Sequence, residues 1–210
     1  MPEIIKIPAS GRLDDAEAAR IGAAAKGCRL IAFPTESSYA LGSTGLIKAA
    51  TRRILQVKER STLKPLPVLV GSIDEAKKWV EWTPLAERLA AKLWPGAVSL
   101  LLKPTAQGRL LTFPEYPTVA IRVPSHPVAQ AIVAASGVPW IYSSANKSGQ
   151  PSLTDAAAVI AALGSEVDFV LDGATAQAGD MTTVDATGET ARIVRQGLVT
   201  AETVKEAATA

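Results

Sequence analysis

The sequence predicts an α/β fold, a twisted mixed β-sheet flanked by helices. Three observations lead there. Apolar residues recur at helical spacing in some stretches and form short compact runs in others, and the two kinds of stretch alternate along the chain. Turn residues separate them at short intervals, and no internal repeat or low-complexity linker divides the 210 residues. We therefore expect a single domain over residues 1–210, large enough to bury roughly 70% of its unfolded surface.

Leu13 to Lys26 is alanine-rich and ends at Gly27, the expected left-handed C′ residue, ahead of the apolar run Leu30-Ile31-Ala32-Phe33; this reads as helix then strand. Lys48 to Lys58 places Ala50, Ile54 and Val57 on one helical face, and Leu66 to Val70 reads as the next strand. Ser72 and Glu75 have capping-box spacing for a helix through Val80. Thr83-Pro84 supplies an N-cap and a first-turn proline for another helix reaching Leu93, which Pro95-Gly96 ends. Ala97 to Lys103 is strand-like, whereas Pro104 to Pro117 lacks a period and is expected to form a long excursion or a small hairpin. Thr118 to Val123 alternates, with Val119, Ile121 and Val123 on one side, so Arg122 should face away from that apolar layer.

Ser125-His126-Pro127 opens a helix with Val128, Ala131, Ile132 and Ala135 in one stripe and Gly137 as its left-handed stop; Pro139 to Tyr142 follows as a buried strand. A helix from Thr154 to Leu163, stopped by Gly164, precedes a strand at Asp168 to Leu171. Two last β segments, near Thr183 to Ala186 and Ala191 to Val194, flank Thr187-Gly188-Glu189, and Thr200 is positioned to cap a terminal helix.

Composition narrows the function. With 48% hydrophobic residues and 22 basic against 20 acidic, the chain is neither intrinsically disordered nor a binder of nucleic acid through charge alone. Cys28 is the single cysteine, which excludes an internal disulfide and a multi-thiolate zinc site and fits a reducing compartment. The opening Met-Pro-Glu lacks the basic-then-apolar pattern of a secretory signal, so a cytoplasmic protein is expected. The uncharged span between Arg122 and Lys147 holds Pro124, Pro127, Gly137 and Pro139, a pattern unlike a membrane helix.

Chemistry-bearing residues gather at strand ends. Lys58, Arg60 and Lys64 stand on the connection ahead of Leu66, an array suited to a polyanion, although cations closing a helix would also complement its dipole. Pro65 restricts Lys64 to extended geometry and so aims its side chain. Arg122 can hold a carboxylate through two parallel hydrogen bonds or pair with an acidic side chain. Ser143-Ser144-Ala145-Asn146 offers hydroxyls, an amide and backbone donors to a phosphate or ribose, or simply turn chemistry. Thr35 offers a hydroxyl, Glu36 either orients a cation or water or caps a turn, and Tyr39 is a wall or a core residue. Asp180-Met181-Thr182-Thr183 brings two hydroxyls to a strand entrance. His126, the lone histidine, sits at a helix start and reads as structural, so a Ser-His-Asp triad has little support. Neither a G-x-x-x-x-G-K-[ST] loop nor a G-x-G-x-x-G turn occurs, so an ATP site must be of another type.

Taken in order, Pro34-Thr35-Glu36, Lys58-x-Arg60, Lys64-Pro65-Leu66, Trp94-Pro95-Gly96, Ala120-Ile121-Arg122-Val123-Pro124, Ser144-Ala145-Asn146-x-Ser148-Gly149, Leu171-Asp172-Gly173, Thr182-Thr183-Val184 and Arg195-Gln196-Gly197 resemble the YrdC-type threonylcarbamoyl-AMP synthases. The resemblance covers nearly the whole chain and leaves no room for the extra C-terminal domain of longer members. It implies a YrdC-like domain with a central concave cleft. It further implies a nucleotidyltransferase, an L-threonylcarbamoyladenylate synthase that forms threonylcarbamoyl-AMP and pyrophosphate from L-threonine, bicarbonate and ATP for threonylcarbamoyl-adenosine in tRNA. Mg²⁺ would share the triphosphate charge, with no protein metal site assigned, and downstream threonylcarbamoyl-transfer proteins would be partners.

Carried over position by position, Lys58 and Arg60 are the catalytic pair that holds ATP phosphates, and Ser144, Asn146 and Arg195 complete the ATP site. Thr35, Lys64, Arg122 and Thr182 surround threonine and its carbamate. The chain departs from the family pattern at Ser37-Ser38-Tyr39-Ala40, at Glu59 and Ser61 where Gly and Pro are common, and in a strand one residue shorter after Thr182-Thr183. The Ser38-Tyr39-Ala40-Leu41-Gly42 stretch and the Thr182-Thr183 pair resemble YciO-type paralogues. The alternative expectation is a YciO-like paralogue that binds double-stranded RNA or tRNA, or adenylates a different carbamoyl substrate.

Overall fold

In a computed structural model, which describes residues 1–59, 65–175 and 179–209, ten strands join in one mixed sheet. In chain order the elements are β1 (Glu3–Lys6), α1 (Asp15–Lys26), β2 (Ile31–Pro34), β3 (Tyr39–Thr44), α2 (Lys48–Val57), β4 (Val68–Leu69), α3 (Ile73–Trp79), α4 (Pro84–Leu93), β5 (Val98–Leu102), β6 (Val119–Arg122), α5 (Pro127–Ser136), β7 (Trp140–Ser144), α6 (Ala156–Leu163), β8 (Phe169–Asp172), β9 (Thr182–Asp185), β10 (Arg192–Arg195) and α7 (Ala201–Thr209). The strands lie in the order β1-β8-β2-β3-β7-β4-β6-β5-β9-β10.

Strand alternation sorts the apolar side chains into two layers. On one face Ile31, Phe33, Ala40, Leu69, Trp140 and Leu171 pack against Ile21 and Ala25 of α1 and Val128, Ile132 and Val133 of α5. On the other, Ala32, Leu41, Val68, Leu100, Ile121, Ile141 and Val184 meet α2, α3, α4, α6 and α7 through Ile54, Ala76, Leu89, Val159 and Val204. Ile21 and Ile54 are fully buried, and truncating either to alanine would cost about 2–5 kcal/mol. Helices α1 and α5 approach closely at Gly22, where an added Cβ would lie 2.8 Å from the Ser136 amide nitrogen.

Local chemistry sets the helix ends. Ser72 accepts from the Glu75 amide at 3.1 Å, Thr83 from Ala86 at 3.0 Å and Thr200 from Thr203 at 3.2 Å, as the spacing of these residues implies. Gly137 takes the left-handed conformation at φ 64°. At the end of α1 the expectation is displaced by one residue. Gly27 has φ −79°, and Cys28, at φ 64°, closes the helix while the Arg29 amide reaches Ala24 O at 3.1 Å.

Pro104 to Pro117 forms no hairpin. A 3₁₀ turn at Gly108–Leu111 buries Leu111, and Lys48 Nζ ties the segment down by donating to Leu110 O at 2.9 Å and Thr112 O at 2.6 Å. Strands β1 and β3 are the two elements absent from the sequence reading. Among the described residues, no helix is long and apolar enough to cross a membrane.

Candidate active site

The helices that cover the first face lie over only part of it. Beyond Leu69 the same face continues through Arg122 and Ala120 of β6, Leu101 and Ser99 of β5 and Thr183 of β9, with Leu69 opposite Arg122, Ala120 opposite Leu101 and Ser99 opposite Thr183. These small and polar side chains form the floor of a cavity of about 400 Å³. Thr118, Ala120 and Arg122 all line it, as their alternation in the sequence predicts. Its walls are Thr35, Ser37 and Ser38 after β2, Ser143 and Ser144 at the end of β7, Pro65 to Pro67, and Asp180 and Met181 ahead of β9.

Arg122 is fully buried, and of its two alternative roles from the sequence the one the fold displays is the pair with an acidic side chain. Nη1 forms an ion pair with Glu36 Oε1 and donates to Gly96 O at 3.3 Å, while Nε donates to the Tyr142 hydroxyl at 2.8 Å. Burial by itself lowers the arginine pKa, yet the Tyr142 hydroxyl and the Glu36 carboxylate raise it above its ordinary value, so the group stays cationic. The guanidinium fork is thus largely committed to protein, which removes the simple two-bond carboxylate grip expected from the sequence. Among the described residues Nη2 is buried without a partner, as is Glu36 Oε2. An unsatisfied buried polar atom costs about 1–3 kcal/mol, so the pair is incompletely compensated as it stands.

Lys58 follows α2 and is 3% exposed. Its Nζ donates to Ser144 O at 2.6 Å and Asn146 O at 2.7 Å, and lies 3.1 Å from Asn146 Oδ1 and 3.3 Å from Ser144 Oγ. Asn146 in turn donates through Nδ2 to Gln150 O at 2.6 Å and Lys147 O at 3.0 Å. Lys58, Ser144 and Asn146 are therefore one buried cluster, with Ser144 as its member on the cavity wall. Glu59 turns the chain away from α2 at φ 52°, in the left-handed region where glycine is favoured. Arg60 and Lys64 lie outside the described residues.

Thr35 lines the cavity, but its hydroxyl serves the turn between β2 and β3: it donates to Ser38 O at 2.6 Å and accepts from the Ser37 amide at 3.2 Å. Thr182 is fully buried on the opposite, helix-backed face with Val184. Its hydroxyl donates to Val199 O at 2.8 Å and accepts from the Gly197 and Val199 amides at 3.0 and 3.1 Å. The residue that faces the cavity is Thr183, a correction that strand alternation alone makes. Gly197 runs so close to the 180–182 backbone that a Cβ would collide with it, which accounts for the glycine in Arg195-Gln196-Gly197.

Arg195 reaches the cavity through a register shift. Ile193 pairs with Val184 and Arg195 with Thr183, so Val194 is an extra residue and the bulge turns Arg195 to the Thr183 face. Nε of Arg195 donates to Met181 O at 3.1 Å.

His126 caps α5: Nδ1 accepts from the Val128 amide at 3.3 Å and Nε2 lies 3.0 Å from Ala174 O, which assigns the proton to Nε2. Burial lowers its pKa. Tyr39 is a core residue whose hydroxyl donates to Leu171 O or Gly173 O, at 2.9 and 2.7 Å. Sequence reasoning missed Ser99 and Tyr142 as parts of the site. A hydroxyl between Val98 and Leu100 in an otherwise apolar strand was the available signal for Ser99. Among the described residues, no group of three His, Cys, Asp or Glu is arranged to hold a metal ion.

The Sua5/YciO/YrdC family model, described as telomere recombination, matches residues 24–197. A Bacillus subtilis threonylcarbamoyl-AMP synthase is 33% identical over 196 residues, 91% of this chain and 56% of the relative. The solved structure of Pyrococcus abyssi Sua5 complexed with L-threonine superposes with a TM-score of 0.89 at 28% identity, over 99% of this chain and 60% of that one. Escherichia coli YciO superposes with a TM-score of 0.87 at 25% identity, over 97% of this chain and 100% of its own. The chain thus spans little more than half of the Bacillus and Pyrococcus proteins and the full length of YciO.

Proposed function

As this chain belongs to the Sua5/YciO/YrdC family, we propose that it is an L-threonylcarbamoyladenylate synthase, a nucleotidyltransferase that forms threonylcarbamoyl-AMP and pyrophosphate from L-threonine, bicarbonate and ATP. The observation that carries this reading is a polar cavity with a buried arginine on its floor and, in its wall, Ser144, through which the buried Lys58–Ser144–Asn146 cluster adjoins it. A carboxylate fits the arginine, and a polyphosphate fits the lysine end. The Pyrococcus relative was solved with L-threonine, which is the amino acid we assign to the Arg122 end.

The chemistry asks for placement and charge stabilisation rather than a covalent nucleophile. Arg122 holds the threonine carboxylate on the floor, and Thr35, Lys64 and Thr183 bound the amino-acid end, with Thr182 behind Thr183 holding the strand to Gly197 and Val199. The threonine nitrogen and bicarbonate join with loss of water to form the carbamate, whose oxygen attacks the ATP α-phosphorus as pyrophosphate leaves. Lys58, Arg60 and Arg195 meet the accumulating phosphate charge, while Ser144 and Asn146 bind the adenylate. For the Lys58 ammonium to take a phosphate oxygen, one protein acceptor must give way, and Ser144 Oγ at 3.3 Å is the longest of the contacts to Ser144 and Asn146. Mg²⁺ would enter with the triphosphate and share its charge. Closing the cavity to water protects the mixed anhydride.

With this activity go a cytoplasmic location, a role in tRNA modification, and transfer proteins that consume the product. The test is mass spectrometry of the complete mixture together with pyrophosphate release. Product at the mass of threonylcarbamoyl-AMP, dependent on all three substrates, is the expected result; release that ignores threonine would refute it. The full-length match to YciO sustains a second reading, a paralogue that binds double-stranded RNA or tRNA or adenylates another carbamoyl substrate. Tight, salt-sensitive RNA binding without nucleotide turnover would favour that reading.

A further inference from the structure

We propose that Glu36 is a positioning residue, fixing Arg122 so that a single nitrogen, Nη2, receives the substrate carboxylate. The inference rests on the synthase reading and assigns a role to a residue which that reading leaves unused. Glu36 is 8% exposed, and it is absent from the cavity lining although its neighbours Thr35, Ser37 and Ser38 line it. It pairs with Arg122 and acts through it.

Three of the directions open to the guanidinium are already set, by Glu36 Oε1, by Gly96 O at 3.3 Å and by the Tyr142 hydroxyl at 2.8 Å. Such a side chain cannot swing to meet a ligand. Nη2, buried and without a partner among the described residues, is the donor left for a ligand in the cavity that Arg122 lines. If the pair existed only to stabilise the fold, an apolar pair of similar volume would serve at least as well and leave no buried atom unsatisfied.

Charge adds selectivity. A guanidinium neutralised on one side by Glu36 attracts a monoanion through directed N–H bonds and has little net charge left to draw in a polyphosphate. Glu36 thereby separates the amino-acid end of the cavity from the ATP end. The turn that carries it is held from within by the Thr35 hydroxyl, so the carboxylate has a fixed base.

The decisive measurement compares L-threonine with L-threoninamide, which lacks the carboxylate charge, by calorimetric titration of wild type and Glu36→Gln. We expect threonine affinity to fall about tenfold in the variant while threoninamide affinity changes less than about twofold. Equal losses for both ligands would make Glu36 a merely structural residue and overturn the proposal, and so would undiminished threonine binding. If Glu36→Gln does not fold, Glu36→Asp, which keeps the charge one methylene further back, takes the same comparison with a smaller selective loss expected. Wild type that binds neither ligand would sink the synthase reading itself, a result distinct from normal wild-type binding with an indifferent variant.

Discussion

Two parts of one sheet face invite comparison. Where α1 and α5 lie, the strands present Ile31, Phe33, Leu69, Trp140 and Leu171; past Leu69, where neither helix reaches, the same face presents Ala120, Ser99 and Thr183. The strands are alike in spacing and registered row by row. The difference is the cover: an uncovered stretch must be wettable, and its small side chains leave room for a ligand. Arg122 sits at the seam, buried like a core residue yet lining the open part.

The seam is where the largest effect is expected. Arg122→Ala strands the Glu36 carboxylate, so urea unfolding should register a loss of roughly 3–5 kcal/mol and threonine-dependent turnover should vanish. Unchanged stability would mean the two parts are not joined through this pair. Lys58→Ala should raise the KM for ATP about 10–100-fold, with a smaller effect on threonine, because a charge-assisted contact is lost at the phosphate end. The opposite order in steady-state kinetics would reverse our assignment of the two ends.

Neighbouring threonines sharpen the contrast further. Thr182→Val should lower stability by about 1–3 kcal/mol, since three hydrogen bonds to Gly197 and Val199 go with it. Thr183→Val should leave stability within about 0.5 kcal/mol and weaken ligand binding instead. Glu59→Gly should gain about 1 kcal/mol by relieving the φ of 52°, visible as a rise of about 2–4 °C in Tm. The smallest effect belongs to the covered part. The His126 pKa is lowered from 6.5 in the fold, so the unfolded chain takes up the proton first and stability declines as pH falls below 6.5. His126→Asn keeps a capping side chain and should flatten that decline in pH-dependent unfolding.

What the sequence made legible follows the physics of each signal. Helices α3, α4 and α5 could be bounded because Ser72, Thr83-Pro84 and Gly137 act locally. Strand β3 escaped because both of its faces are covered: Tyr39 to Thr44 are all buried, so no polar alternation marks the run. Strand β1 is four residues at a sheet edge, held by parallel pairing to β8 far along the chain. Among site residues, Arg122 was legible from alternation in its own strand, whereas its ion pair with Glu36 depends on the turn after β2 reaching over to β6, with β3, β7 and β4 between them. Thr182 was taken for Thr183 because the two hydroxyls are adjacent, and the register of β5 and β9 alone tells them apart. Arg195 appeared in the right motif without the bulge that aims it.

That bulge bears on how this rim tolerates insertion and deletion. Val194 is the surplus residue between the pairs Ile193–Val184 and Arg195–Thr183, so a chain lacking it could close the ladder and still set its arginine against Thr183. Loss of one codon there would shorten the strand yet spare the cation, whereas the same loss in the middle strands would turn every later side chain over.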